Sequence, residues 1–417
     1  MQRILLILAV MAVAACGPGP RPSESSPLYG TVPSRSVAVM HFSHCSQGLA
    51  LMMDSTSLFR TLDYGRMADN EAILSYGYSA GLVPLLCVDA GRAADDTSAQ
   101  AAGLLRRAEL SGLKTFYTAR MLPKRAAVLL SLSQAAIDEA VQHIGAGTSI
   151  LDAPGFAEAM QLASGGAGEI FLKNGAARRW LPASVLKSYI PRKDLVSFVA
   201  DAAQWSVLNL RGYGRREIGV SFHDGGGARF LSHLFAGLEA SDSKAADAVP
   251  ASSEFVLDLP LADWRGYYDA YVECLDVRSS LSRHKAHLAA LRKQYAKNPL
   301  DWAKARSPRE IALVRWEGRE VLMLRPEKRP KSVQDAQNPC PGFVPALFGS
   351  AFTIADDSCM GAYGDWLVYG SAEDVDALRE AEKERFLQGI PRKLKYLFWT
   401  KELQIYSDGK NTFLDVN

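Results

Sequence analysis

Residues 72–89, AILSYGYSAGLVPLLCVD, contain two apolar runs separated by Ser79-Ala80-Gly81. Small residues and glycine between two such runs are typical of a β-hairpin. Residues 309–325, REIALVRWEGREVLMLR, repeat this arrangement around Glu317-Gly318. Because strands joined by short turns pair antiparallel, both stretches predict antiparallel sheet rather than the parallel sheet of a βαβ protein.

The order of elements around these hairpins occurs twice. Val32-Pro33-Ser34 precedes a predicted strand and helix in the first half, and Val249-Pro250-Ala251 does so in the second. Later in each half a strand leads through a serine, Ser133 or Ser371, into a helix. An α+β chain without duplication gives similar runs, so order alone leaves both arrangements open. We predict an α+β fold of two related units, mainly antiparallel sheet with helices packed on one face.

The N-terminus resembles a bacterial lipoprotein signal. Arg3 precedes an apolar run at 4–13 that is too short to span a bilayer, and Val13-Ala14-Ala15 leads into Cys16. An ordinary signal peptide that happens to contain a cysteine is the alternative. We predict that residues 1–15 are a lipoprotein signal peptide and that the thiol of Cys16 carries the lipid.

The segment after Cys16 predicts the layout of the mature chain. Residues 16–35 are rich in Pro, Gly and Ser and predict a flexible tether. The small, polar residues of 239–248 predict a boundary between a first domain at 36–248 and a second at 249–417. Gly17 stands where an aspartate would be in many inner-membrane lipoproteins. We therefore expect a lipid-anchored protein of the bacterial outer membrane, facing the periplasm.

The composition is that of a globular protein. The 417 residues are 48% hydrophobic and 22% charged, with a formal net charge of +2. These values exclude a disordered, collagen-like or multi-span membrane chain. Near-zero net charge argues against a dedicated nucleic-acid binder.

A family resemblance rests on the cysteine-containing signal, the Pro-rich tether, Val32-Pro33 before the first strand, and Trp366-Leu367-Val368-Tyr369-Gly370-Ser371 entering a helix. Together these features are similar to a group of uncharacterised cell-envelope lipoproteins, known mainly from Bacteroidetes, that carry a repeated α+β domain. The resemblance implies a repeated α+β fold. No catalytic residues are established for that group, so none is assigned to this chain.

Five cysteines remain besides Cys16. Cys340 and Cys359 flank a segment rich in turn residues, which predicts a disulfide between them. Cys45 and Cys87 lie near the ends of predicted strands and form a second candidate pair, and Cys274 is left as a buried thiol. There is no Cys-x-x-Cys, so zinc-ribbon and thioredoxin-type sites lose their main support.

Ser79 is the one candidate nucleophile. Gly77-Tyr78-Ser79-Ala80-Gly81 matches Gly-x-Ser-x-Gly, in which a strand, a tight turn and then a helix expose the serine. Here the residues after Gly81 predict a strand, which favours a hairpin turn over a catalytic elbow.

Histidine motifs give no strong metal or cofactor signal. His41-x-x-His44-Cys45 offers zinc-ligand types, but strand alternation places His44 opposite the other two side chains. His284 falls on the apolar seam of a helix and predicts a core histidine. The loop at 223–227, HDGGG, lacks the Lys and hydroxyl of a phosphate-binding loop. We predict no metal and no cofactor.

A basic segment is the main candidate interaction surface. Residues 278–331 hold fifteen Lys or Arg and five Asp or Glu. Arg292, Lys293 and Lys297 project away from the apolar seam of a predicted helix. The arginines that follow continue along the next hairpin: Arg306, Arg309, Arg315, Arg319 and Arg325. A solvated basic face and a docking surface for an anionic lipid, glycan or protein both fit this pattern.

These observations predict a membrane-tethered, non-enzymatic binding or scaffold module that does not bind nucleic acid. The alternative is a periplasmic serine hydrolase that uses Ser79. The two differ in whether Ser79 precedes a helix or lies in a hairpin turn.

Replacing Cys16 with Ser should abolish acylation, because the thiol is the predicted lipid acceptor. Labelling of cells with a fatty-acid analogue, followed by membrane fractionation, measures this. We expect Cys16→Ser protein to carry no label and to leave the outer-membrane fraction. Unlabelled protein that still fractionates with the outer membrane would contradict the predicted anchor.

Overall fold

The fold was analysed in a computed structural model of the chain. The structure describes residues 26–52, 69–78, 82–91, 116–122, 125–176, 202–210, 218–223, 225, 227–328, 340–383, 390–400, 403–408 and 412–416. These residues form two compact units, the first ending at Gly225 and the second beginning at Gly226. Each unit combines an antiparallel sheet with helices, which confirms the predicted α+β class.

The described part of the first unit contains eight strands: β1 (Ala38–Phe42), β2 (Ala72–Tyr78), β3 (Leu82–Gly91), β4 (Phe116–Leu122), β5 (Arg125–Ser131), β6 (Gly168–Lys173), β7 (Trp205–Leu210) and β8 (Ile218–His223). They lie in the order β8-β7-β6-β1-β2-β3-β5-β4, with every neighbouring pair antiparallel. Its described helices are α1 (Cys45–Met52), α2 (Gln134–Ala146) and α3 (Phe156–Met160).

The second unit begins with α4 (Leu231–Ala236), a two-residue strand β9 (Ser241–Asp242) and α5 (Ala245–Ala248). Its main strands are β10 (Ser253–Pro260), β11 (Pro308–Trp316), β12 (Arg319–Pro326), β13 (Cys359–Tyr363), β14 (Trp366–Gly370), β16 (Tyr396–Thr400), β17 (Leu403–Ser407) and β18 (Thr412–Val416), and β15 (Lys393–Leu394) pairs with β9. The remaining described helices are α6 (Trp264–Val277), α7 (Leu281–Tyr295), α8 (Pro299–Arg306), α9 (Phe343–Phe348) and α10 (Ala372–Glu380).

The two units share one topology. The second sheet has the order β18-β17-β16-β10-β11-β12-β14-β13. If the eight main strands of each unit are numbered along the chain, leaving out the short β9 and β15, both sheets have the order 8-7-6-1-2-3-5-4. Each unit also enters its first strand through a buried valine and a proline, Val32-Pro33 or Val249-Pro250. The same turn follows, because the amide of Ser36 donates to the Pro33 carbonyl and that of Ser253 to the Pro250 carbonyl. Strand order and entry turn together indicate a duplicated unit.

The core of the first unit lies between one face of its sheet and α2 and α3. Ser133 caps α2 with its hydroxyl and Gly147 ends it in the left-handed conformation, as the sequence pattern requires. The Phe156 ring, fully buried at the start of α3, packs within 5.1 Å of the rings of both Phe171 and Trp205. This aromatic group joins α3 to the centre of the sheet.

Helices lie against both faces of the second sheet. On one face α5 and α10 pack on Val256, Val314 and neighbouring apolar residues. On the other, the Phe235 ring of α4 packs on Tyr396 of β16 and on Tyr267 of α6. Helices were predicted on one face only, but α4, which precedes β10, and α6, which follows it, lie on the opposite face.

Two predicted boundaries are wrong. The tether was predicted to reach residue 35, but Leu28, Tyr29 and Val32 are buried in the first core, and Ser26 caps a 3₁₀ turn at Pro27–Thr31. The domain boundary was predicted at 248/249, whereas the units divide at Gly225/Gly226. The residues between belong to the second unit, since α4 and α5 carry apolar side chains into its core.

Truncating Phe156 to Ala should destabilise the first unit by about 3–5 kcal/mol, because the cavity would open inside the aromatic group. Urea unfolding measures this. Tyr117→Ala is the matched control, since Tyr117 is exposed on the edge strand β4 and its loss should change the unfolding free energy by less than about 0.5 kcal/mol. Similar values for the two variants would contradict the assigned core.

Candidate functional site

Helix α7 carries the predicted basic surface. Of its residues only His284 and Leu291 are buried. Burial and the neighbouring His287 lower the pKa of His284, so its ring is neutral, and its Nε2 shares a hydrogen bond of 3.2 Å with the Tyr268 hydroxyl. The predicted core histidine is confirmed, and the seam it occupies fixes which side chains of α7 point outward.

The exposed charged side chains of α7 are all basic. We call the following residues the basic helix surface: Arg283, Lys285, Arg292, Lys293 and Lys297. All but Lys297, which is half-buried, are exposed. There is no Asp or Glu between residues 279 and 300. Within the parts of the chain that the structure describes, no ion pair engages any of the five, so their charges face solvent.

The arginines of the following hairpin do not extend this surface. Arg315 pairs with Glu320 at 2.6 Å, Arg325 with Glu310 at 2.7 Å, and Arg319 with Glu373 and Asp374 at 3.0 and 3.3 Å. Arg309 pairs with Glu327, and the Arg306 guanidinium lies 4.7 Å from the Trp302 ring centre. The prediction of a continuous basic patch is therefore wrong, because neighbouring strands and α10 supply carboxylates that a linear charge count does not locate.

The sequence does not predict a partly buried charge cluster in the first unit. His41 of β1 lies between two carboxylates: Nδ1 is 2.6 Å from Glu169 of β6, and Nε2 is 2.7 Å from Glu71, next to β2. Glu169 also accepts the Gly165 amide at 3.0 Å. Because carboxylates only accept, both ring nitrogens must carry protons, so His41 is an imidazolium.

The pKa of His41 agrees with this assignment. Burial alone would lower it, but hydrogen bonds and charge interactions with Glu169 and Glu71 raise it from 6.5 to about 9. The Tyr29 ring lies 5.7 Å from the imidazolium, and burial together with these carboxylates raises the pKa of Tyr29. The cluster thus joins β1 to β6 and to the residue before β2 by charge, and the Tyr29 ring packs beside it.

The second unit has titratable groups at equivalent positions. Val39 pairs with Ser75 and Val256 with Val314, so Asp258 corresponds to His41 and Glu310 to Glu71. Burial and the charge of Glu310 raise the pKa of Asp258 well above its usual range. Glu310 accepts two backbone amides and the Arg325 guanidinium, whereas among the described residues Asp258 accepts only the Ser243 hydroxyl. The proton of this pair therefore resides on Asp258.

Other predicted site residues are placed as follows. Cys16 and Ser79 lie outside the described residues, but β2 and β3 pair antiparallel up to Tyr78 and Leu82, so a strand follows the Gly-x-Ser-x-Gly motif.

The pairs Cys340–Cys359 and Cys45–Cys87 are not formed, because all four are free thiols, as is Cys274. Cys87 lies mid-strand in the core, where burial raises its pKa to about 12.

No cluster of three His, Cys, Asp or Glu suited to a metal ion occurs in the described ranges, and His41 is occupied by Glu71 and Glu169 instead. The helices that the structure describes include none with the length and apolar character needed to cross a bilayer.

No protein-family model, no curated protein and no solved structure matches this chain. The resemblance to envelope lipoproteins accordingly stays a prediction.

The folded state should lose stability as pH rises through the pKa of His41. Because that pKa is about 9 when folded and 6.5 when unfolded, the stabilisation is complete below pH 6.5 and gone above pH 9. It amounts to about 3 kcal/mol at most. Titration of the imidazole by NMR measures the pKa directly. Glu71→Gln removes one carboxylate and should lower it, whereas an unshifted pKa near 6.5 in the original protein would contradict the cluster.

Proposed function

We propose that this protein is an outer-membrane lipoprotein of the bacterial periplasm. In this role it is a non-enzymatic binding module, anchored through Cys16, that docks on anionic phospholipid headgroups through the basic helix surface. The observation that carries the proposal is the contrast between this surface and the hairpin arginines. The hairpin cations are paired with acidic groups within the protein, whereas the five cations of α7 and its following turn have no such partner among the described residues.

The chemistry of α7 fits a headgroup layer. The exposed apolar residues of α7 are alanines, which offer little area to an apolar partner. Each Lys or Arg held near an anionic bilayer contributes about 1 kcal/mol. A lipid anchor keeps the folded units close to the membrane, which raises the effective concentration of the headgroups and makes weak docking sufficient.

A non-enzymatic role is supported by the surroundings of the candidate nucleophile. The described residues on both sides of Ser79 are paired strands, whereas the hydrolase elbow needs a helix after the serine. The one histidine held by two carboxylates, His41, has both ring nitrogens occupied and cannot act as a general base in that state.

Reversing Arg292, Lys293 and Lys297 to Glu should weaken binding to anionic vesicles by about 100-fold or more, since three favourable charges become repulsive. The test uses unacylated chain starting at residue 16 and carrying Cys16→Ser, with co-sedimentation on phosphatidylglycerol–phosphatidylcholine vesicles. Binding of the unreversed protein should fall as salt is raised from about 0.15 M to about 1 M.

The matched control reverses Lys304, Arg392 and Lys393, three exposed cations of the same unit, with the same change in net charge. Control protein should keep its binding. Equal loss in both variants would show that only net charge matters and would contradict docking through α7. Binding to an acidic polysaccharide but not to vesicles would replace the lipid by a glycan.

A further inference from the structure

The first unit contains a small cleft that is separate from the basic helix surface. It lies between β2, β3 and the start of α2 and has a volume of about 60 Å³. Its wall is formed by Pro33, Ser36, Ser75, Gly77, Val83 and Leu85, and residues of α2 complete the opening. All of these belong to the first unit, so the cleft is a property of that unit alone.

The duplicated unit shows that this space is not required by the fold. Ser75 corresponds to Val314 by strand register, so Gly77 corresponds to Trp316, two residues further along each strand. Trp316 is 2% exposed and packs in the core with Val314, Val321 and Val375. In the first unit a Cβ at Gly77 would meet no atom within 4 Å. One copy thus fills the position with an indole and the other leaves it open.

The opening of the cleft also differs between the two copies: it is open in the first unit and closed in the second. Val83 corresponds to Arg319, since Leu85 and Val321 occupy the same register position. Arg319 binds Glu373 and Asp374 at the start of α10 and so joins the strand to the helix. The corresponding start of α2 carries Ala135 and Ala136. The second copy is therefore closed by an ion pair at the position where the first is open.

The interior of the cleft contains hydrogen-bonding groups without strong partners. Ser36 is 1% exposed, and its hydroxyl has no hydrogen-bond partner in the described part of the chain, whereas its counterpart Ser253 donates to the Pro250 carbonyl at 2.6 Å. Within the described ranges the Ser75 hydroxyl has only a long contact, 3.5 Å to the Leu85 carbonyl. A buried hydroxyl left without a partner costs stability, so a ligand that supplies one gains free energy.

The size and chemistry of the cleft define the ligand group. A cavity of this volume holds a group of roughly four heavy atoms rather than a whole aromatic ring, because an engineered cavity that takes benzene has about 150 Å³. Ser36 offers a donor to a ligand carbonyl, and the Glu139 carboxylate at the opening accepts from a ligand N–H. Leu85 and Val83 provide apolar contact. A carbonyl, an N–H and a methyl within four heavy atoms constitute an acetamido group.

We propose that this cleft binds the acetamido group of an N-acetylated amino sugar. The carbonyl accepts from the Ser36 hydroxyl and the methyl packs on Leu85, while sugar hydroxyls lie over the opening near Glu139. The sugar is favoured over an acetylated lysine because Ser133 and Glu139 place polar groups around the opening, where ring hydroxyls find partners.

The experiment measures binding of N-acetylglucosamine to the full chain by saturation-transfer NMR. A single sugar of this size should bind with a Kd of about 1 mM. Glucosamine, which lacks the acetyl group, should bind at least about tenfold more weakly because the carbonyl and methyl contacts are lost. Equal binding of the two sugars, or no binding of N-acetylglucosamine up to about 20 mM, would overturn the proposal.

Two substitutions locate the binding. Gly77→Trp introduces the residue of the second unit and should abolish the NMR signal while the protein stays folded. Ser36→Ala should weaken binding about tenfold without lowering the melting temperature, because the hydroxyl bonds to none of the described residues. Full binding by both variants would place the sugar elsewhere and overturn the assignment.

Gly145→Trp is the matched control for Gly77→Trp. Gly145 lies near the far end of α2, and a Cβ there also meets no atom within 4 Å. This variant should bind as the unsubstituted protein does, and loss of binding would overturn the assignment to the cleft. Tighter binding of N-acetyl-lysine than of N-acetylglucosamine would overturn the sugar and leave only the acetamido group. Vesicle binding through α7 is measured separately, so either proposal can fail without the other.

Discussion

Pairing of the first strand on both of its sides is the constraint on which each unit depends. Val39 lies between Ser75 and Phe171, and Val256 lies between Val314 and Trp399. Since side chains alternate along a strand, this register decides which residues face the helices, and a shift by one residue would reverse them all. The charge cluster, the cleft and the core all lie on the face that the register selects.

Because the unit is duplicated, equivalent positions of the two copies can be compared within one chain. The two copies keep strand order and entry turn but differ where side chains do chemistry. At one position an imidazolium lies between carboxylates in the first copy, whereas its counterpart is a carboxyl group beside another carboxylate. At another position a glycine replaces a buried tryptophan. A residue that both copies keep at equivalent positions is explained by the fold. A residue that differs between them requires a separate explanation.

The sequence predicts local features well and distant partners poorly. Hairpin turns, the serine caps of α2 and α10, and the core role of His284 follow from residues close together in the chain. The partners of His41 come from residues 71 and 169, and those of Arg319 from 373 and 374, so no window of sequence contains them. The disulfide predictions failed for the same reason, because turn residues near a cysteine do not say where its side chain points.

The tether boundary was misplaced because Pro and Ser are shared by flexible segments and by entry turns. Leu28, Tyr29 and Val32 distinguish the two, since three buried apolar side chains within five residues have a core to enter.

The same central pairing has a consequence for how the chain folds. β1 can pair with β2 early, but its other edge needs β6, which is made only after residue 168 has left the ribosome. Contacts between segments this far apart form slowly, because the long intervening loop must close first. During that interval the free edge of β1 can pair with another chain, as exposed strand edges do. We therefore expect the nascent first unit to be the aggregation-prone stage in the synthesis of this protein.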